Sequence, residues 1–312
     1  MSLVSTDRSV RSLLRQGVEQ LRGAAVPSFT LAAELLLLHV CGHDRTWLYA
    51  HPEEILSTET AEEYFGLLRR RSLGEPTQHL TGKQEFWGLD FEVNPDVLIP
   101  RPETEHLIEV ALDRLAVREL RAGRPVRLKG EELTMVDVGT GSGCIAITLA
   151  KELPAATVYA TDISRAALEV ARRNAARHGL SHIQFLASNL MEGFASLATG
   201  HSPFSCDLII SNPPYVGLRE SDSLPVEVRE HEPSTALYGG EEGYELYGAL
   251  IPQAAKFLKL GGLLVLELGH NSLPAVHPLL EAPGWCNVGV TNDLAGIPRV
   301  LSAERSSSSP PL

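Results

Sequence analysis

Hydrophobic positions recur with a helical period through the N-terminal quarter of the chain. Apolar side chains return every three or four residues in Ser5–Arg22, Thr30–Cys41 and Ser57–Arg71, which predicts three helices. Gly42 follows the second helix as a glycine C-cap does. We therefore predict a small helical bundle over residues 1–82.

The pattern changes between residues 83 and 102. Apolar and polar residues alternate around Gly88, which predicts a hairpin, and prolines at positions 95, 100 and 102 interrupt regular structure. We place a hairpin linker between two domains here, and an amphipathic helix begins after Pro102.

From residue 133 onward, short apolar runs alternate with helical segments. The predicted strands are Thr134–Val138, Thr157–Thr161, His182–Ala187, Asp207–Ser211 and Leu263–Leu268. The predicted helices between them are Gly143–Glu152, Ser164–His178 and Tyr244–Leu258. This alternation indicates right-handed crossovers, and so an α/β, Rossmann-like domain with a mostly parallel sheet over residues 103–304. Two late runs, Val288–Thr291 and Arg299–Ser302, would add antiparallel edge strands, and we expect a disordered tail over residues 305–312.

Composition narrows the classes of function. The chain has 27 Lys and Arg residues against 39 Asp and Glu residues, a formal net charge of −12. This balance disfavours a non-specific polyanion binder, although an enzyme with a local basic patch stays possible. No apolar run approaches the length that spans a bilayer, and no signal peptide is recognisable. The four cysteines form no CxxC pair, so we predict reduced, buried thiols and no metal site.

A glycine-rich loop follows the first predicted strand of the sheet. Glycines there allow a tight turn and a close approach of the backbone to a ligand. Asp162 ends the next strand, where a carboxylate can accept both hydroxyl groups of a ribose. The candidate loop residues are Gly139, Thr140, Gly141, Ser142 and Gly143.

The identity of the bound cofactor stays open at this point. A dinucleotide such as NAD favours the spacing GxGxxG, whereas the chain has GxGxG. Asp137, just before the loop, could accept the ammonium group of S-adenosylmethionine.

A second motif follows the fourth strand, at the sheet edge where ligands bind in open α/β folds. It consists of Asn212, Pro213, Pro214 and Tyr215. The two prolines fix an extended backbone and remove two N–H donors. The Asn212 side-chain oxygen and the Pro213 carbonyl could each accept one N–H of a planar amino group, on which Tyr215 could stack. The motif predicts a site for an amide or an exocyclic base amine, which favours S-adenosylmethionine over NAD.

Further segments on both sides of this motif carry a family resemblance. They are Gln84–Gly88, Leu98–Glu105 and Glu232–Gly240, followed by Gly243. Together with the motif they resemble the HemK/PrmC family of protein-(glutamine-N5) methyltransferases over almost the whole chain. Pro-Arg-Pro-Glu stands where the ribosomal-protein glutamine methyltransferases have Pro-Arg-Ser-Pro, which favours the release-factor enzymes.

The resemblance implies S-adenosylmethionine-dependent methylation of the glutamine amide nitrogen in the Gly-Gly-Gln motif of class-1 peptide chain release factors. It implies substrate recognition by the N-terminal bundle, and a cytoplasmic monomer that uses no metal, nucleic acid or membrane. The catalytic residues would be Asn212, Pro213 and Tyr215. The implied cofactor residues are Asp137, Gly139, Thr140, Gly141, Ser142, Gly143, Asp162, Asn189, Leu190 and Asn212.

Substrate contacts would come from the whole second motif, Asn212 to Tyr215, and from Arg101 and Glu103. These last two could shape the mouth that admits the Gly-Gly-Gln loop, although Glu103 could equally favour the helix that follows. Relatives often have an acidic residue where this chain has Asn189, so its adenine contact would lack a charge.

Four other functions compete with this interpretation. A glutamine methyltransferase of a ribosomal protein, or a DNA or RNA amino-methyltransferase, would use the same chemistry. The latter should have a basic cleft and a recognition insert, whereas this chain is acidic. A non-catalytic binding module would have little need of the intact second motif. A dehydrogenase is the weakest option because neither the loop spacing nor a hydride-transfer acid supports it.

Overall fold

The computed structural model describes residues 7–121, 133–197 and 203–307. Residues 5 and 6 of the first predicted helix and residues 308–312 of the predicted tail lie outside this range. The helices, in chain order, are α1 Val10–Gly23, α2 Phe29–Cys41, α3 Arg45–Ala50, α4 Thr58–Ser72, α5 Thr77–Thr81, α6 Glu105–Arg121, α7 Cys144–Glu152, α8 Arg165–Arg177, α9 Val226–His231, α10 Ser234–Leu237, α11 Glu245–Phe257 and α12 Leu273–Val276. Short 3-10 helices span Pro102–Thr104, Glu192–Leu197, Leu218–Ser223 and His277–Leu280.

The strands follow the same order along the chain. They are β1 Lys83–Phe86, β2 Leu89–Glu92, β3 Thr134–Val138, β4 Thr157–Asp162, β5 Gln184–Ala187, β6 Cys206–Ser211, β7 Val216–Gly217, β8 Tyr238–Gly240, β9 Leu258–Glu267, β10 Trp285–Asn292 and β11 Pro298–Arg305. Because β11 extends through Arg305, regular structure reaches into the segment predicted to be tail.

The chain divides into two compact units. One comprises residues 1–83 and 225–231, and the other comprises residues 84–224 and 232–312. The predicted hairpin therefore belongs almost entirely to the second unit. The return of residues 225–231 to the first unit was not anticipated from the sequence.

The first unit is a helical bundle built on α1, α2 and α4. Its core includes Leu13, Leu36, Leu37, Tyr64 and Leu68, all essentially inaccessible to solvent. The C-cap prediction is confirmed, since Gly42 adopts a left-handed conformation with φ of 69°. Within this unit, the guanidinium of Arg71 lies 2.5 Å from the carboxylate of Glu227, which fastens α9 to α4.

The second unit opens with the predicted hairpin, β1 and β2. Its two-residue turn places Trp87 and Gly88 at positive φ, 55° and 68°, as a type I′ turn requires. The Trp87 backbone N–H donates to the Glu105 carboxylate at 2.8 Å, so Glu105 ties the hairpin to the first turn of α6. Phe86 and Phe91 belong to the main core of this unit.

A seven-stranded sheet forms the centre of the second unit, in the order β10-β11-β9-β6-β3-β4-β5. Neighbours from β9 to β5 are parallel, while β11 and β10 are antiparallel additions at one edge. The predicted doubly wound sheet with antiparallel edge strands is confirmed. The chain runs outward from β3 to β5 and then returns to β6, so a crevice opens beyond the carboxyl ends of β3 and β6.

Two local predictions were wrong. The strand predicted from Leu263 begins earlier, at Leu258, because it continues past two glycines that break the apolar pattern. Cys144 and Cys206 are buried thiols, but Cys41 is only half-buried and Cys286 is exposed on the edge strand β10. Among the helices that the structure describes, none is both long enough and apolar enough to cross a membrane.

Candidate active site

The glycine-rich loop is fastened to the end of β4. The backbone N–H groups of Gly139 and Thr140 both donate to the carbonyl of Thr161, at 2.9 Å and 2.8 Å. Gly139 and Gly141 have positive φ, 76° and 54°, and a side chain at either position would project into open space. The loop therefore presents bare backbone toward the crevice.

The far end of the loop packs tightly instead. A Cβ at Gly143 would lie 3.0 Å from the Ile147 side chain and 3.1 Å from the Ala171 side chain. Asn174, on α8, donates from its side-chain amide to the carbonyl of Ser142 at 2.9 Å. Ser142 and Gly143 thus hold the loop against α7 and α8.

Asp162 stands at the end of β4 and faces the crevice. One carboxylate oxygen accepts from the Gly141 N–H at 2.9 Å, and the other accepts from the Ser164 N–H at 2.8 Å. Burial raises the pKa of this carboxyl, against the lowering effect of these hydrogen bonds. Each oxygen retains a lone pair with which to accept from a ligand.

Asp137 lies beneath the loop rather than on the crevice wall. Its side chain is 1% exposed, and one oxygen accepts from the Thr140 hydroxyl at 2.6 Å and from the Ala146 N–H at 3.2 Å. Burial raises the pKa of this carboxyl to about 7. Both contacts support the glycine-rich loop from below, and the predicted contact of Asp137 with the cofactor stays a prediction.

A cavity of about 300 Å³ fills the crevice. The sequence-predicted residues that line it are Gly139, Gly141, Asp162, Asn189, Leu190, Asn212 and Pro214. Lining residues that were not predicted to have a site role include Asp96, Leu98, Ile163, Pro233, Thr235 and Tyr238. Several of these fall in the stretches that carried the family resemblance, but nothing in their chemistry marked them as cavity walls.

Asn212 extends from the end of β6 into this cavity. Its side-chain nitrogen Nδ2 donates to the hydroxyl of Thr104 at 3.1 Å. The preceding residue, Ser211, donates from its hydroxyl to the carbonyl of Val138 at 2.6 Å, which joins the ends of β6 and β3. With Nδ2 engaged, the Asn212 oxygen Oδ1 is the end of the amide that stays available as an acceptor.

The backbone of the second motif is packed against glycines from the later stretch. A Cβ at Gly239 would overlap the carbonyl oxygen of Pro214, and one at Gly243 would overlap that of Tyr215. Strand β7, just after the motif, pairs with β8, which contains Gly239. These contacts explain why two segments far apart in sequence form one wall.

The remaining predicted residues do not line the cavity. Tyr215 is half-buried, and a Cβ at Gly269 would lie 2.9 Å from its ring. Arg101 pairs with the buried carboxylate of Glu232, which also accepts from the Ile99 N–H at 3.2 Å. Glu103 is exposed on the short helix Pro102–Thr104. The others outside the lining are Asp137, Thr140, Ser142, Gly143 and Pro213.

A buried carboxylate behind the second motif was missed from the sequence. Glu267, the last residue of β9, is 1% exposed, and among the described residues its carboxylate oxygen Oε2 has no hydrogen-bond partner. The signal was a single acidic residue inside the apolar run Leu263–Leu268, where an unpartnered charge would be costly. Within the described ranges, no group of three or more His, Cys, Asp or Glu side chains is placed to hold a metal ion.

Comparison with known proteins identifies two families along the chain. Residues 12–82 match the PrmC N-terminal domain, and residues 126–227 match the methyltransferase small domain. A release factor glutamine methyltransferase of Koribacter versatilis (strain Ellin345) is 42% identical over 300 residues, which cover 96% of this chain and 100% of the relative. The enzyme of the same name from Moorella thermoacetica (strain ATCC 39073 / JCM 9320) is 40% identical over 299 residues, which cover 95% and 99%.

Among solved structures, the catalytic domain of hMettl16, in complex with the MAT2A 3'UTR hairpin 6, has a similar fold. The TM-score is 0.52 at 20% identity, over 77% of this chain and 81% of that chain. At this identity the likeness concerns the fold alone. The Rossmann-like methyltransferase fold and the family resemblance predicted from the sequence are both confirmed.

Proposed function

Because the chain belongs to the family of release factor glutamine methyltransferases, we propose that it methylates the side-chain amide nitrogen of the glutamine in the Gly-Gly-Gln motif of class-1 release factors. The methyl donor is S-adenosylmethionine. The observation that carries the proposal is the hydrogen bond from Asn212 Nδ2 to Thr104, which leaves Oδ1 as the acceptor at the cavity.

The cavity suits this cofactor in shape and chemistry. The left-handed glycines Gly139 and Gly141 leave open space where side chains would stand, so a ligand can approach the backbone. Asp162 supplies carboxylate oxygens for a ribose, while Asn189 and Leu190 would hold the adenine end. When bound, S-adenosylmethionine supplies an electrophilic sulfonium methyl group.

The second motif would hold the substrate amide. Oδ1 of Asn212 and the carbonyl of Pro213 would accept the two N–H bonds of the glutamine side chain. Because Pro213 and Pro214 have no backbone N–H, this part of the motif offers carbonyl acceptors and no competing donors to a substrate –NH2 group. Tyr215 lies behind this wall and would stabilise the motif instead of stacking on the substrate.

The main chemical difficulty of the reaction is that an amide nitrogen is a weak nucleophile, because its lone pair is delocalised into the carbonyl. The contacts to Asn212 and Pro213 would help to overcome it. Two acceptors would fix the nitrogen in one orientation, with its reactive face toward the methyl group, and such alignment lowers the barrier. The hydrogen bonds to these acceptors would become stronger as positive charge develops on the nitrogen. The methylated nitrogen then loses a proton to water or to a nearby acceptor, which restores a neutral amide.

One methyl-transfer experiment distinguishes release factors, ribosomal proteins and nucleic acids as the substrate. The purified protein is incubated with methyl-labelled S-adenosylmethionine and, in parallel, with a class-1 release factor, ribosomal proteins or nucleic acid. We expect label in the release factor alone. Label only in ribosomal proteins or nucleic acid would keep the chemistry and reject the proposed substrate.

A further inference from the structure

The turn after β5 forms the wall of the cavity at the proposed adenine end. Strand β5 pairs with β4 so that Ala187 lies beside Asp162, and the Ser188 N–H donates to the carbonyl of Asp162 at 3.0 Å. Asn189 follows, and it lines the cavity together with Asp162. The carboxylate proposed for the ribose and the amide of Asn189 therefore lie at adjacent strand ends of one cavity.

The backbone of this turn is held by hydrogen bonds. The Glu192 N–H donates to the carbonyl of Asn189 at 3.1 Å. The Met191 N–H donates to the side-chain oxygen of Gln253, on α11, at 3.0 Å, and the Met191 side chain is buried. Because the backbone around Asn189 is held in this way, the side-chain amide is the part of Asn189 whose orientation remains to be set.

The carboxylate of Glu192 distinguishes the two ends of that amide. Nδ2 of Asn189 donates to Oε1 of Glu192 at 3.0 Å. An ionised carboxylate can only accept, so a reversed amide would bring Oδ1 against a carboxylate oxygen with no hydrogen between them. With Nδ2 held by Glu192, Oδ1 is the end of the Asn189 amide that stays available as an acceptor for a ligand.

We propose that Glu192 is a positioning residue, which directs Oδ1 of Asn189 toward the cavity to accept a hydrogen bond from the 6-amino group of adenine. This inference rests on the proposed function, in which the adenine end lies at Asn189. The hydrogen bond to Glu192 also polarises the amide, which makes Oδ1 a better acceptor. A purine without the amino group would leave Oδ1 without its donor, so the pair selects an aminopurine over other purines.

The test compares the affinities of two ligands by isothermal titration calorimetry. One is S-adenosylhomocysteine, which lacks the transferred methyl group, and the other is its analogue with hydrogen in place of the 6-amino group. The ratio of their Kd values isolates the contact to the amino group, because the rest of the ligand is the same. For the wild-type protein we expect the analogue to bind about fivefold to tenfold more weakly.

Two substitutions of Glu192 remove its effect in different ways. Glu192→Ala deletes the carboxylate, whereas Glu192→Gln keeps the size but can donate as well as accept, so that either orientation of Asn189 is allowed. Both should lower the ratio of Kd values to about twofold or less. Glu63→Ala removes the same charge from an exposed position of α4 and should keep the wild-type ratio. A wild-type ratio in both Glu192 variants would overturn the proposal.

Asn189→Asp tests whether Glu192 acts through Asn189. A carboxylate has two equivalent oxygens, so either orientation presents an acceptor to the cavity. Asn189→Asp should therefore keep the wild-type ratio, and the addition of Glu192→Ala to it should not lower that ratio. Asn189→Ala should lower the ratio at least as far as Glu192→Ala does. If Glu192→Ala lowers the ratio equally in the wild-type and Asn189→Asp backgrounds, Glu192 does not act through Asn189.

These binding measurements need no methyl acceptor, so this inference and the proposed function can fail separately. If the ratio depends on Glu192 as expected but the wild-type protein methylates no release factor, the proposed substrate fails and the inference stands. If the wild-type protein methylates a release factor and the ratio is independent of Glu192, the inference alone fails. A wild-type protein that binds neither ligand, or binds both equally, would also overturn the inference.

Discussion

The backbone N–H of Gly141 donates a hydrogen bond of 2.9 Å to the carboxylate of Asp162. The group that ends β4 therefore also holds the loop that follows β3. A substitution of Asp162 should therefore weaken cofactor binding for two reasons: the ribose loses its acceptor, and the glycine-rich loop loses a hydrogen bond that holds it in place.

Asp162→Ala should weaken the binding of S-adenosylmethionine by roughly tenfold to a hundredfold, since hydrogen bonds to charged groups are among the stronger ones. Isothermal titration calorimetry measures the Kd directly. Asp90→Ala removes the same charge from an exposed position on the hairpin and should leave the Kd unchanged. Equal affinities for the two variants would exclude Asp162 from the cofactor site.

Gly239→Ala should disturb the second motif, because the added methyl group would meet the carbonyl oxygen of Pro214. Overpacking of this kind lowers the free energy of unfolding by about 1–3 kcal/mol, and it should also reduce the rate of methyl transfer. Gly248→Ala is the matched control, since Gly248 is an exposed position of α11 with open space around its Cβ. That variant should be as stable as wild type or slightly more so. Thermal unfolding and a transfer assay on both variants provide the comparison.

The buried carboxyls predict a particular dependence of stability on pH. The pKa of Asp137 is raised from 3.8 to about 7, and that of Glu267 from 4.5 to about 7. Between about pH 4 and pH 7 the folded state therefore holds more protons than the unfolded state, so the free energy of unfolding falls as pH rises.

Asp137→Asn isolates one of these contributions, because the amide oxygen can still accept from Thr140 and Ala146. Relative to wild type, the variant should gain more free energy of unfolding at pH 8 than at pH 5 in urea titrations. Asp90→Asn, at an exposed site, should show no such change. A gain for Asp137→Asn that is independent of pH would show that its carboxyl titrates normally.

Long elements of the fold could be predicted from the sequence because their hydrophobic periodicity extends over many residues. α2, α4, α8 and the strand β3 were placed within two residues of their observed bounds. The short helices α3 and α5 were missed, since six or five residues are too few to establish a period. Their formation depends on packing within the bundle, where Leu48 and Leu80 are buried.

The candidate site was predictable where chemistry and strand ends coincide. Gly139, Gly141, Asp162 and Asn212 lie at the carboxyl ends of predicted strands, and all four line the cavity. Thr104 was not predictable as the partner of Asn212, because the two residues lie 108 positions apart along the chain. The position of Glu267 at the neighbouring strand end was not predictable either. Only the folded sheet brings the end of β9 beside the end of β6.

Asn212→Ala should lower kcat for methyl transfer by about a hundredfold or more, the loss typical of removing one stabilising group at a reacting centre. Asn212→Asp should be similarly impaired, because an ionised carboxylate cannot donate to the Thr104 hydroxyl as the Asn212 amide does. The cofactor Kd should rise much less than kcat falls. Asn292→Ala, on the exposed end of β10, is the control and should behave as wild type.

The most direct test is peptide mass mapping of a purified class-1 release factor after incubation with this protein and S-adenosylmethionine. The proposed function predicts one added methyl group on the glutamine of the Gly-Gly-Gln motif. Fragmentation of that peptide should place the methyl group on the side-chain nitrogen. The modification should be nearly absent when Asn212→Ala replaces the wild-type enzyme. An unmodified glutamine in the presence of bound cofactor, or an equal yield from the Asn212→Ala enzyme, would contradict the proposed reaction and its site.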